Sequence, residues 1–120
     1  LPLRITLEVL QLLGPNFKII KYGRKSIKVH YSDLIKTDNC YGLYDPNTQT
    51  VNFDQNMKGE VFLNTLLHEI FHIIIYNEGM NIKDRGEEPI VNALGNGLVK
   101  VLKQNKKVRN FIYDCFEKKK

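Results

Sequence analysis

Residues 63–76 read Leu-Asn-Thr-Leu-Leu-His-Glu-Ile-Phe-His-Ile-Ile-Ile-Tyr, an apolar and helix-like run that carries H-E-x-x-H as His68, Glu69 and His72. Four residues on an α-helix make about 400° of rotation, so His68 and His72 leave one face a turn apart. Two imidazoles placed in this way can reach a single cation at the roughly 2.0–2.1 Å of a Zn–N bond. Glu69 is turned to the neighbouring flank, where its carboxylate can take a proton from a polarised water instead of filling the metal site. The competing reading is an ordinary core helix with two coincidental histidines. The helical context favours the metal.

A chain of 120 residues with 42% hydrophobic content is expected to form one compact domain spanning residues 1–120. No stretch approaches the roughly 18 uninterrupted apolar residues of a membrane span. The opening Leu1-Pro2-Leu3-Arg4-Ile5-Thr6-Leu7-Glu8 lacks the pattern of a secretory signal, and a first residue other than methionine leaves room for upstream domains. Two cysteines, Cys40 and Cys115, do not make a disulfide framework. Cys115 shares an apolar stripe with Phe111, Ile112 and Phe116 and reads as a core residue. A reducing, cytoplasmic compartment is expected.

The formal charge is +5, with Lys100, Lys103, Lys106, Lys107, Arg109 and Lys118 to Lys120 crowded late in the chain. Nucleic-acid binding would call for interleaved exposed aromatics or a known binding motif. Neither is evident, so these charges read as a solvated helix face and a basic tail.

Leu3, Leu7, Leu10 and Leu13 recur at helical spacing up to Gly14-Pro15. Two alternating segments, Phe17–Tyr22 and Ser26–Tyr31, flank Gly23-Arg24-Lys25 as a hairpin, with Ile27, Val29 and Tyr31 on one face and Lys28 and His30 on the other. A second hairpin pairs Tyr41–Tyr44 with Thr50–Phe53 around a turn-rich Asp45-Pro46-Asn47-Thr48-Gln49. The metal helix is expected over Met57–Asn77, closed by Gly79. Asn81–Gly86 reads as a loop. A long helix follows over Glu87–Gln104, with Ile90, Leu94, Leu98, Val101 and Leu102 on its apolar side, then a capping helix over Lys107–Glu117. The order of helix, four short strands and three helices is α+β, with a short, mostly antiparallel sheet.

Two histidines make a poor zinc site, because catalytic zinc normally has three protein ligands and an open position. Glu87 and Glu88 open the following helix and both qualify. Periodicity leans to Glu87, which continues the Ile90–Leu94–Leu98 stripe. Spacing favours Glu88, which shares a face with Asn92 and Gly95, a set comprising a ligand, a polar supporting group and a residue that permits close helix approach.

The second half of the chain resembles the minimal zinc peptidases related to the ImmA/IrrE proteins, which are zincins of the gluzincin kind. Their H-E-x-x-H helix is followed by E-x-x-[A/V]-N-x-[F/L]-[A/G]-x-x-L, matched here by Glu88-Pro89-Ile90-Val91-Asn92-Ala93-Leu94-Gly95-Asn96-Gly97-Leu98. Gly42-Leu43-Tyr44, a turn and Thr50–Phe53 match in kind, and the likeness covers roughly residues 41–102. Phe71 replaces the usual glycine of H-E-L-G-H. Pro89 directly after the third ligand suits a first helical turn and bars a much earlier start. No helix-turn-helix domain accompanies the motif, and the first third matches only in having a helix and strands.

The resemblance implies Zn²⁺ held by His68, His72 and Glu88, with Glu69 as the general base that takes a proton from the water attacking the peptide carbonyl and returns it to the leaving amine. A tyrosine or histidine commonly supports the oxyanion in such enzymes, and Tyr44, Tyr76 and His30 are the available types. The family also implies that substrate adds as a strand to an exposed sheet edge, for which Thr50–Phe53 is the candidate. The expected function is a zinc-dependent endopeptidase acting on a specific protein or peptide, such as a regulator. The alternative is a zinc-binding regulatory or interaction module with little proteolysis.

Overall fold

The computed structural model describes residues 16–79 and 84–117. The stripe Leu3–Leu13, predicted as an N-terminal helix, and the loop residues Asn81–Lys83 lie outside them. The described residues form a mixed α+β structure in the order β1 (Ile19–Tyr22), β2 (Lys25–Ser32), α1 (Leu34–Asp38), β3 (Gly42–Asp45), β4 (Thr50–Asp54), α2 (Gly59–Asn77), α3 (Asp84–Gln104) and α4 (Lys106–Glu117).

The sheet order is β1-β2-β4-β3. Both predicted hairpins form, β1 with β2 and β3 with β4, each antiparallel. The join between them is parallel, with Val29 opposite Val51 and Tyr31 opposite Phe53. The sheet is therefore mixed. This order corrects one expectation: β4, the proposed substrate edge, is paired on both sides, and among the described residues the sheet edges belong to β1 and β3.

Alternation along the strands fixes which face is covered. Ile27, Val29, Val51 and Phe53 are buried on one face, while Lys28 and His30 point away into solvent. Helix α2 closes the covered face through Phe62, Leu66 and Ile73, with Phe53 and Phe62 meeting edge to face at 5.6 Å between centroids. Short α1, which carries no strong periodic signal, was not foreseen. Leu34 buries its side chain and the buried Asp54 accepts the Ile35 N–H at 3.0 Å and the Asn56 N–H at 3.2 Å, which ties the β2–β3 connection to the end of β4. The C-terminal end of α2 is held to the first hairpin by Tyr22 Oη donating to Glu78 and Lys25 Nζ donating to Asn77. Gly79 then takes a left-handed φ of 68°, which stops the helix as expected.

Helix α3 runs back along α2, with Lys103 Nζ 3.2 Å from Glu60 Oε1. Two expectations for it are corrected. It begins at Asp84 instead of Glu87, so Gly86 is helical, and Pro89 sits where the carbonyl it leaves unbonded is that of Arg85 in the first turn. Its buried face is also different. Val91, Gly95 and Val99 turn inward, while Ile90, Leu94, Leu98 and Val101 are exposed. Turning the Gly95 face inward brings the backbones of α2 and α3 close, whereas the bulkier leucine stripe would hold them apart. Cys115 on α4 is exposed, against the core placement read from its stripe.

Candidate metal centre

The helical stripes of α2 divide the motif between two neighbours. Glu69 falls on the Phe62–Leu66–Ile73 stripe that faces the sheet, and its carboxyl is buried against β3. His68 and His72 occupy the adjoining stripe and face α3. Gly95 of α3 lies opposite His68, and a methyl group there would stand 3.8 Å from the His68 backbone nitrogen. This approach lets the first turn of α3 reach both imidazoles.

The ring nitrogens converge. His68 Nε2 lies 3.1 Å from His72 Nε2, and Glu88 Oε1 lies 3.4 Å from the first and 2.5 Å from the second. Donors around a tetrahedral zinc are about 3.3 Å apart, as follows from bonds of roughly 2.0–2.1 Å. Two of the three separations already have that size. The His72–Glu88 separation is a hydrogen-bond distance and would open by several tenths of an ångström around a cation. The donor set of two imidazoles and one carboxylate suits zinc, and the three residues form a group able to hold a metal ion.

Glu87 and Glu88 have separate places. Glu87 Oε2 lies 2.5 Å from His72 Nδ1, on the side of the ring away from His68. Glu88 alone stands on the Nε2 side with both histidines. The arrangement favours Glu88 as the ligand and gives Glu87 the orienting contact that metal-binding histidines ordinarily make through their other nitrogen. Burial alone would lower the pKa of His72, but hydrogen bonds to Glu87 and Glu88 and the Glu69 charge raise it above the usual imidazole value.

Glu69 Oε2 lies 4.0 Å from His68 Nε2. Desolvation pushes its pKa up to about 7, with the charge of Glu88 adding to the rise and His72 and a Tyr44 backbone hydrogen bond opposing it. A carboxyl that titrates near neutral pH is suited to accepting and returning a proton there.

Two clefts meet at this group. One, of about 610 Å³, includes Leu43, Tyr44, Pro46, Ile75 and Tyr76. The other, of about 350 Å³, includes Tyr41, Asn64, Thr65, Asn92 and Asn96. Cys40, Gly42, His68, Glu69 and Glu88 belong to both. Of the three residues considered for oxyanion support, Tyr44 and Tyr76 border the first cleft, and His30 is exposed on β2, outside both. The Tyr44 hydroxyl accepts from Asn77 Nδ2 at 3.4 Å.

Gly42 is the site residue to which sequence reasoning gave no role. A β-carbon there would lie 2.8 Å from Thr65 Cγ2 and 3.1 Å from Glu69 Cγ, so β3 can pass over Glu69 only without a side chain at this position. A glycine inside a strand is the available signal for such an approach. Cys40 gave no signal.

Comparison of the chain with family models, curated proteins and solved structures finds no match. No helix among the described residues is long and apolar enough to cross a membrane.

Proposed function

We propose that this chain is a zinc-dependent endopeptidase of zincin type, similar to the ImmA/IrrE peptidases, acting on an extended segment of a protein or peptide. The observation that carries this reading is the convergence of His68 Nε2, His72 Nε2 and Glu88 Oε1 beside a buried Glu69 carboxyl. His68, His72 and Glu88 would hold the metal. Bound zinc supplies Lewis acidity, which makes water a better nucleophile near neutral pH and polarises the scissile carbonyl. Glu69 takes the proton from that water and delivers it to the departing amine nitrogen. Glu87 fixes the orientation of the His72 ring.

Strand β3 supports the same reading, because it is a sheet edge among the described residues and lies against Glu69 through Gly42. The unpaired backbone of an edge strand can hold an extended peptide of almost any sequence. In this proposal β3 takes the role first given to Thr50–Phe53.

The second reading, a zinc-binding interaction module, is favoured by one observation: the Glu88 side chain is 61% exposed, so the site has few walls with which to exclude water. Glu69→Gln separates the two. Zinc stoichiometry should remain near one per chain while peptide hydrolysis is abolished. Undiminished biological effect in Glu69→Gln would favour the module. Absence of bound zinc in protein prepared with the metal would overturn both.

A further inference from the structure

The two clefts that share Gly42, His68, Glu69 and Glu88 differ in the side chains particular to each, and this difference bears on which peptides the site accepts. The larger is walled by Leu43 and Pro46 from the β3 side and by Ile75 and Tyr76 from the end of α2. Leu43 and Tyr76 are each 52% exposed, so apolar surface stands open to solvent beside the metal group. Tyr44 and Tyr76 meet edge to face at 6.2 Å, which braces that wall. The smaller cleft carries the neutral amides Asn64, Asn92 and Asn96 with Thr65, and Tyr41 is its one aromatic residue. Such amides favour hydrogen-bonding side chains over large apolar ones.

A chain added along the outer edge of β3 would run beside Gly42, which lines both clefts together with Glu69. Its residues on either side of that point then enter different surroundings. We infer that the site selects peptides with a large apolar or aromatic residue on one side of the scissile bond and a polar, uncharged residue on the other. Leu43 and Tyr76 determine the apolar preference, and the asparagines determine the polar one. This inference rests on the peptidase reading, but its key contacts lie outside the metal ligands and Glu69.

The test uses zinc-loaded protein and peptide hydroxamates that carry a benzyl or a hydroxymethyl side chain on either the amino-terminal or the carboxyl-terminal side of the chelating group. Burial of an aromatic side chain predicts that on one of the two sides the benzyl compound binds roughly tenfold or more tightly than its hydroxymethyl counterpart. Tyr76→Ser and Leu43→Ser should each reduce that ratio several-fold. Both side chains are half-exposed and lie outside the Ile27–Phe53–Ile73 core, so zinc content and melting temperature serve as folding controls. Equal binding of both compounds on both sides, or a preference untouched by the two substitutions, overturns the inference. Hydrolysis of a matched peptide is measured in parallel. Cleavage without apolar preference refutes the selectivity alone, and preferential binding without cleavage refutes the peptidase reading while keeping the selectivity.

Discussion

Gly42 lies so close to Glu69 that a β-carbon on the glycine would stand 3.1 Å from Glu69 Cγ and 3.2 Å from its Oε2. A strand backbone thus forms the lid of the pocket that buries the carboxyl. Gly42→Ala should push Glu69 and Thr65 aside, at a cost of about 1–3 kcal/mol in stability. Zinc content should persist, because the three donors lie on the other stripe of α2 and on α3. The expected result is a fall in kcat of tenfold or more at an unchanged metal stoichiometry. Full activity in Gly42→Ala would show that the site tolerates a displaced base.

The neighbouring glutamates should separate in a zinc titration. Glu88→Ala is expected to abolish stable binding. Glu87→Gln is expected to retain one zinc per chain while weakening affinity by about 10–100-fold, since it removes only the carboxylate on His72 Nδ1. The opposite ranking would exchange their roles. Because His72 holds its proton more tightly than a free imidazole, affinity should also fall as the pH drops through the histidine range.

Glu69 makes stability of the metal-free protein depend on pH. Its pKa rises from 4.5 to about 7 on folding, so the folded state binds the proton more tightly. Its contribution is fully present below pH 4.5 and is lost as the pH rises through 7, amounting to a few kcal/mol. Glu69→Gln has no such charge to bury. Metal-free Glu69→Gln should therefore melt above the parent at pH 8, and the difference should vanish near pH 4.5. Added zinc should shrink the gap at pH 8, because a cation favours the ionised carboxylate. Parallel melting curves at all pH values would refute the buried-carboxyl account.

Gly95→Ala should be tolerated. A methyl group there would meet the His68 backbone nitrogen at 3.8 Å, an ordinary contact, and alanine favours the helix by about 0.8–1.0 kcal/mol. A larger residue such as leucine should separate α2 from α3 and reduce zinc affinity. Thermal melting and zinc titration of the two variants test this, and equal zinc affinity in both would show that the interhelical distance is not critical.

The histidine pair was legible because four-residue spacing fixes a common helix face whatever packs on it. The four strands were legible because alternation and turn residues are local. Which strand would be an edge was not, since β2 joins β4 through a parallel pairing that no local signal announces. The leucine stripe of α3 suggested the wrong inner face for a related reason. Periodicity shows that Ile90, Leu94 and Leu98 share a side, but not whether a neighbour covers it. The structure instead turns the Val91–Gly95–Val99 side inward, which carries Glu88 to the histidines. Cys115 was misplaced by the same inference from a stripe alone.

A β-edge with no neighbour among the described residues is also an invitation to other copies of the same chain. Strand β3 answers this by brevity and by its ending: only Gly42–Asp45 is extended, Asp45 brings a negative charge and Pro46 has no amide hydrogen to offer. Short length, charge and proline are the devices by which natural sheets resist fibril-like stacking. A lone extended segment could still dock there briefly and depart, whereas endless edge-to-edge growth would find no continuation past the proline.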